Sequence, residues 1–328
     1  MTEKQPSLSI SPYTYLPGRE MIISASSSKT KIRMMNTEND IIRLLAKYRI
    51  LERYMIDILL KLHGFVEQKW SCKDTVSTLY NAGYLKKYEY PNEDDKVGTQ
   101  IIAAYALSTK GIRYAEKKKW QFHYEPLPDS KRYDTPTVLE VLTQNLWHCS
   151  ILQKYKGKIE DEQYELTVSA SRNRWAVIPS LFKINDGRAG FRGRISVAAI
   201  PLKKNDDGKP DQSVVLNTTL VANAFLSESI TKYKSSIIVV ICDNFDQMEG
   251  MHKFIKSHKV LEQLSVFYTL DYFVRNDEDP LNWLFICKEE DGVCSYTHIS
   301  LSARKSSGHR TPEFQNDSAS IITENDAI

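Results

Sequence analysis

The feature that most limits what this chain can fold into is an ordered change of hydrophobic period between Asp40 and Lys119. Ile41, Ile42, Leu44, Leu45 and Tyr48 recur at helical spacing, with Thr37 or Asn39 as the cap and Asp40 in the first turn. A second helix is predicted from about Leu51 to Leu62, through Leu51, Tyr54, Met55, Ile58, Leu59 and Leu62, and Gly64 ends it. A third starts from a cap at Ser71 and turns Val76, Leu79 and Tyr80 inward. It stops at Asn81-Ala82-Gly83, where Gly83 accepts a left-handed backbone. The period then drops to two. Tyr84 to Tyr90 alternates as a strand, Pro91 to Gly98 is a charged turn, and Ile101 to Leu107 returns. Ser108 or Thr109 caps a closing helix over Lys110 to Lys119.

Two helices, a Lys-bearing third, a hairpin and a closing helix follow the order of a winged helix-turn-helix, a DNA-reading module. On that reading the third helix enters the major groove with Lys69, Ser71, Lys73, Thr75, Ser77 and Thr78. Lys86, Lys87 and Lys96 on the wing contact phosphate or the minor groove, and Lys110 and Arg113 extend the footprint. The plainer alternative is a solvated helix face. Charge leans toward nucleic acid. Twenty Lys/Arg stand against fourteen Asp/Glu between Lys29 and Asp134, a surplus of six, so the rest of this +3 chain carries −3.

The stretches TLYNAGYLKKYEY (Thr78–Tyr90) and YALSTKGIRYAEK (Tyr105–Lys117) resemble the recognition-helix, wing and closing-helix signature of bacterial winged-helix proteins. The turn Tyr105-Ala106-Leu107-Ser108-Thr109-Lys110-Gly111 is its most specific part. With an α/β segment after it, the chain resembles the replication-relaxation family of plasmid and conjugative-element proteins. That resemblance implies double-stranded DNA as partner, with replication or conjugation proteins as further candidates. Helix-turn-helix proteins commonly form homodimers, and no heptad seam here specifies one.

The expected organisation is a disordered arm over 1–36, the winged helix-turn-helix over 37–120 and a linker over 121–136. An α/β domain over 137–300 and a disordered tail over 301–328 complete it. In the α/β domain a helix runs from Thr135 or Thr137 to about Tyr155. Strands follow at Tyr164 to Ala170, Trp175 to Ile184 and Phe191 to Pro201. A helix over about Asn217 to Lys234 precedes Ile237 to Cys242, a run too continuously apolar for a half-exposed strand. A helix over Asp243 to Ser257, a strand over Leu264 to Tyr272 and a last strand over Trp283 to Lys288 complete a three-layer α/β reading. The resemblance implies a restriction-endonuclease-like core here. Such cores hold Mg²⁺ with a Pro-Asp on one strand and an acid two residues before a Lys on the next. The first position reads Pro179-Ser180, and Lys203 has no acid two residues ahead of it, so the expected core is degenerate and non-catalytic.

Other candidates are weaker. Gly187, Gly190 and Gly193 with Arg188, Arg192 and Arg194 fit no phosphate-loop spacing and read as turns. Asp243, Asp246 and Asp271 lie near strand ends but suit helix caps, and His148, His252 and His258 have no nucleophile partner. Cys72, Cys149, Cys242, Cys287 and Cys294 fit neither a zinc nor a disulfide framework. No cofactor or metal is expected. The start lacks an apolar signal segment, and no run approaches the roughly 18 apolar residues of a membrane helix, so the cytoplasm is the expected location. The expected function is non-catalytic, sequence-specific DNA binding in replication or its control. The alternatives are a transcriptional regulator whose α/β domain binds a ligand or partner, and a metal-dependent nuclease with unrecognised acids.

Overall fold

The computed structural model describes residues 13–16, 18–26, 31–67, 69–94, 98–171, 174–186, 193–202, 204–205, 208–228, 235–259, 264–276, 279–290 and 292–301. The chain divides into two compact units. One is Pro12–Lys156 with Lys203–Asp211, and the other holds Gly157–Leu202 and the chain from Gln212 onward.

The N-terminal unit is a four-stranded antiparallel sheet with helices. Its elements are β1 (Ile22–Ala25), α1 (Asn36–Tyr48), β2 (Leu51–Glu52), α2 (Arg53–Leu62), α3 (Lys73–Asn81), β3 (Leu85–Asp94), β4 (Gly98–Leu107), α4 (Thr109–Lys117) and α5 (Thr135–Lys154). The strand order is β1-β3-β4-β2. Ile41, Ile42, Leu44, Leu45 and Tyr48 of α1 are all buried. The helix begins at Asn36 because the Glu38 carboxylate accepts the Met35 N–H at 3.1 Å.

Four expectations change in this unit. Leu51 and Glu52 are not helical; they pair with Tyr105 and Ala104 as a short strand. The helix α2 therefore starts later and buries Met55, Ile56, Leu59 and Leu60 instead of a stripe through Ile58 and Leu62. Each such side chain contributes roughly 1.5–3 kcal/mol on burial.

The segment before α1 is not a disordered arm from Tyr13 to Ser26. Tyr13 is fully buried, its hydroxyl donates to the Glu52 carboxylate, and its carbonyl accepts from Lys204 Nζ at 2.5 Å. Ile22 to Ala25 then pair with Glu89 to Lys86 as an added edge strand.

The segment 121–136 is not a free linker either. Tyr124 donates to the Leu45 carbonyl at 2.8 Å, and Asp129 and Thr109 exchange two hydrogen bonds.

Finally, α5 belongs with the N-terminal unit, not with the α/β segment. It is buried nearly all round, and Asn145 Nδ2 donates to the carbonyls of Tyr48 and Ile50 at 2.9 and 2.6 Å. Those carbonyls lie in the bend between α1 and β2, where the Tyr48 carbonyl also accepts the Ile50 N–H at 2.7 Å.

The C-terminal unit is built on one seven-stranded sheet, order β11-β10-β9-β8-β7-β6-β5. Its strands are β5 (Ile159–Ser171), β6 (Arg174–Asp186), β7 (Gly193–Pro201), β8 (Ser235–Cys242), β9 (Val266–Leu270), β10 (Leu284–Glu290) and β11 (Val293–Ile299). Its helices are α6 (Gln212–Glu228), α7 (Phe245–Ser257) and the short α8 (Asp271–Asn276). The antiparallel β5-β6-β7 meander is followed by two parallel crossovers, β7 to β8 through α6 and β8 to β9 through α7. Both crossovers step in the same direction, so right-handed connections place both helices on one face of the sheet. There Val215, Val221, Leu226, Met248, Met251 and Ile255 close over Ile200, Val240 and Tyr268. Within this unit the crossover helices thus form one layer, not the two a three-layer order requires. The Ile237–Cys242 run is buried on both faces. The last expected strand is a hairpin of two. The expected tail from Ser302 and the basic glycine loop at 187–192 lie outside the described residues. No helix among the described residues is long and apolar enough to cross a membrane.

Candidate nucleic-acid interface

The helix α3 is fixed by its ends and its inner face, which leaves its outer face free of structural duty. At its start, Cys72 is fully buried. Its N–H donates to Asp57 Oδ1 of α2 at 2.6 Å, and its thiol donates to the Arg53 carbonyl at 3.3 Å. Asp57 thereby satisfies one of the orphan amides at the helix start, and Ser71 Oγ, the expected cap, accepts the Lys73 N–H at 3.4 Å. Burial and the Asp57 carboxylate push the Cys72 thiol up to about 12, so it stays a neutral donor. Val76 and Leu79 pack inward.

The end of α3 is a Schellman turn. Tyr84 N–H reaches the Leu79 carbonyl and Gly83 N–H the Tyr80 carbonyl, both at 2.9 Å, with Gly83 at φ +74°.

The motif that carries the strongest resemblance turns out to be the clasp on this turn. Ser108 accepts from Gly111 N–H at 3.1 Å, capping α4, and donates to the Gly83 carbonyl at 2.6 Å. Lys110 Nζ donates to the Ala82 carbonyl at 2.5 Å and sits 4.2 Å from the centre of the Tyr84 ring. A Cβ on Gly111 would lie 2.2 Å from the Tyr84 carbonyl oxygen, so only glycine fits there. Each specific residue of the motif has a packing role.

The structure sorts the expected DNA-contacting residues into three sets. Lys69, Ser71, Lys73, Ser77 and Thr78 are exposed at the start and on the outer face of α3, while Thr75 is half-buried. Among the described residues neither Lys69 nor Lys73 has an acidic partner. Arg113 is likewise exposed on α4.

The second set is committed elsewhere. Lys110 is the clasp just described. Lys86 is 2% exposed and donates to the Leu127 carbonyl at 2.9 Å, and burial lowers its pKa against the opposing pull of Asp129. An ammonium buried there cannot reach phosphate, because strand alternation turns it toward the 121–136 segment. Lys87 is half-buried and paired with Glu89 at 2.5 Å. Lys96 forms the third set and lies outside the described residues.

Sequence reasoning missed Asn81. It is exposed and continues the line of Lys73 and Ser77 at four-residue spacing, so its amide shares their face. Read only as a helix stop, it gave no separate signal.

In the C-terminal unit no group of three or more His, Cys, Asp or Glu side chains that could hold a metal ion occurs among the described residues. Ser180 on β6 lies opposite Ala199 on β7, with Pro201 next on that face, and Lys203 lies outside the described residues. Asn244, not Asp243, caps α7, accepting from Gln247 N–H at 2.9 Å. Comparison with protein-family models, curated proteins and solved structures finds no match to this chain.

Proposed function

We propose that the chain is a non-catalytic, sequence-specific binder of double-stranded DNA. Its N-terminal unit acts as a winged helix, and α3 reads the major groove. One observation carries this reading. The helix α3 is locked at both ends and along its inner face, yet it presents Lys73, Ser77, Thr78 and Asn81 outward, with Lys69 and Ser71 ahead of it. These side chains are donors and acceptors on a rigid element, as base-edge recognition needs. The order helix, short strand, helix, helix, long hairpin supports the winged-helix reading.

The resemblance to replication-relaxation proteins supports a role in replication or maintenance of a plasmid or other mobile element. The same geometry serves a transcriptional regulator equally well, with the C-terminal unit as its ligand or partner domain.

The frame of the C-terminal unit bears on catalysis. Three antiparallel strands, a crossover helix and a parallel fourth strand make up part of its sheet, for which the family resemblance implies a nuclease-like core. Ser180, Ala199 and Pro201 stand at the paired positions and offer a divalent cation no carboxylate, which supports the non-catalytic reading.

The test is a gel-shift titration of the full chain on duplexes flanking its own gene, beside a cleavage assay with Mg²⁺ on supercoiled plasmid. A specific shift is expected, and Lys73→Ala should weaken it by about 1–3 kcal/mol, or remove it, with melting unchanged. Absence of any shift overturns DNA binding. Metal-dependent nicking that is lost on changing Asp243 or Asp271 overturns the non-catalytic part.

A further inference from the structure

The sequence between Met21 and Thr37 contains no acid, and it carries Lys31 and Arg33. Both side chains are exposed, and among the described residues neither has an acidic partner. Glu38, the first acid after Glu20, has its carboxylate turned onto the Met35 N–H at 3.1 Å.

The structure ties both ends of this stretch to the same place, the C-terminal end of α3. At its start, Ser26 donates to the Asn81 carbonyl at 3.0 Å, and Tyr80 donates to Ser24 at 3.0 Å. At its finish, Asn39 donates to the Met35 carbonyl at 2.7 Å and accepts from the Tyr114 hydroxyl at 2.7 Å. Tyr114 packs edge-on against Tyr84, beside the Lys110 clasp on Ala82. Arg113, next to Tyr114, is exposed on the same helix.

We propose that Lys31, Arg33 and Arg113 form a second cationic set, at the end of α3 opposite Lys69 and Lys73, that grips the phosphate backbone beside the groove α3 enters. The set extends the proposed DNA reading to the segment before α1. The scale fits the ligand. Nine residues of α3 span roughly 13 Å, about the width of the major groove, so cations at its two ends meet phosphates on its two sides. These contacts strengthen binding to every sequence alike and leave base preference to α3.

The experiment is fluorescence anisotropy of the full chain on a labelled mixed-sequence duplex over a salt series. Lys31→Gln with Arg33→Gln, and Arg113→Gln alone, are compared with wild type and with Lys73→Ala. Each lost phosphate contact should reduce the slope of log K against log salt by about 0.9, so the double variant loses about two. Preference between a selected site and the mixed duplex should stay unchanged. All three residues are exposed, so thermal melting should match wild type. A slope equal to wild type in the double variant, while Lys73→Ala weakens binding, overturns this set and leaves the α3 reading standing. A wild-type chain that binds no duplex at any salt overturns both.

Discussion

Lys110 places its ammonium 2.5 Å from the carbonyl oxygen of Ala82, closing the turn that ends α3. A lysine at the start of the closing helix is thereby a fastening of α3, the helix proposed to read DNA. Its neighbour Gly111 completes the fastening through the backbone of Tyr84.

Gly111→Ala should therefore destabilise the N-terminal unit by about 1–3 kcal/mol, since the new Cβ meets backbone that cannot swing aside. Lys110→Met should cost less, about 1 kcal/mol, because the residue is exposed and water can replace it. Urea melts followed by circular dichroism measure both. If Lys110→Met lowered DNA affinity tenfold with stability intact, the fastening role would be wrong.

Lys86 gives a prediction with a pH signature. Its folded pKa lies below the ordinary 10.5, with burial as the largest cause. In the window between the folded pKa and 10.5, the unfolded chain holds a proton that the folded chain has released. Stability should rise with pH through that window. The rise should be missing from Lys86→Met, and the difference between the two curves isolates this group. DNA affinity at neutral pH should be the same in both proteins, because Lys86 lies beneath the sheet.

Asn145 tests where the chain divides. Asn145→Leu removes the side-chain donor from the buried Ile50 carbonyl and leaves the Tyr48 carbonyl only the Ile50 N–H, at a cost of about 1–3 kcal/mol. Hydrogen exchange should show the loss in α1 and α2. Loss confined to β5 to β11 would instead attach α5 to the sheet unit.

How much was legible follows from what each residue does. The inner face of α1 and the Val76 and Leu79 positions of α3 were readable because these apolar residues are buried, whereas Tyr80, expected inward, is half-buried and donates to Ser24. Gly83 was readable because its left-handed backbone leaves few alternatives. Leu51 and Glu52 misled because two residues are too few to show a period of two, and their strand exists only through its partners on β4. The arm misled because its order comes from long-range contacts, Tyr13 with Lys204 and Ser24 with Tyr80, that no local pattern encodes. For the proposed site, charge and position singled out Lys69 and Lys73, which the structure leaves exposed. Charge alone could not separate them from Lys86 and Lys110, whose ammonium groups are consumed by backbone carbonyls. Asp57 was invisible because its partner stands fifteen residues away, across the turn.

Asp57 supplies the final prediction, which separates holding the proposed reading helix from touching DNA. Its carboxylate accepts the Cys72 N–H at 2.6 Å, so Asp57→Ala removes the cap of α3 from a neighbouring helix. Cap removal costs about 0.5–2 kcal/mol, and the loss should concentrate in the first turn of α3. Hydrogen exchange there should accelerate while amides in β8 and α6 stay protected. Specific DNA binding should weaken because a frayed helix must be ordered again on binding, and the salt slope should stay that of wild type since no phosphate contact is lost. Asp57→Asn keeps an acceptor in place and should recover most of both losses. A salt slope that falls in Asp57→Ala would show that the change had displaced lysines proposed to contact phosphate, and the separation of support from contact would fail.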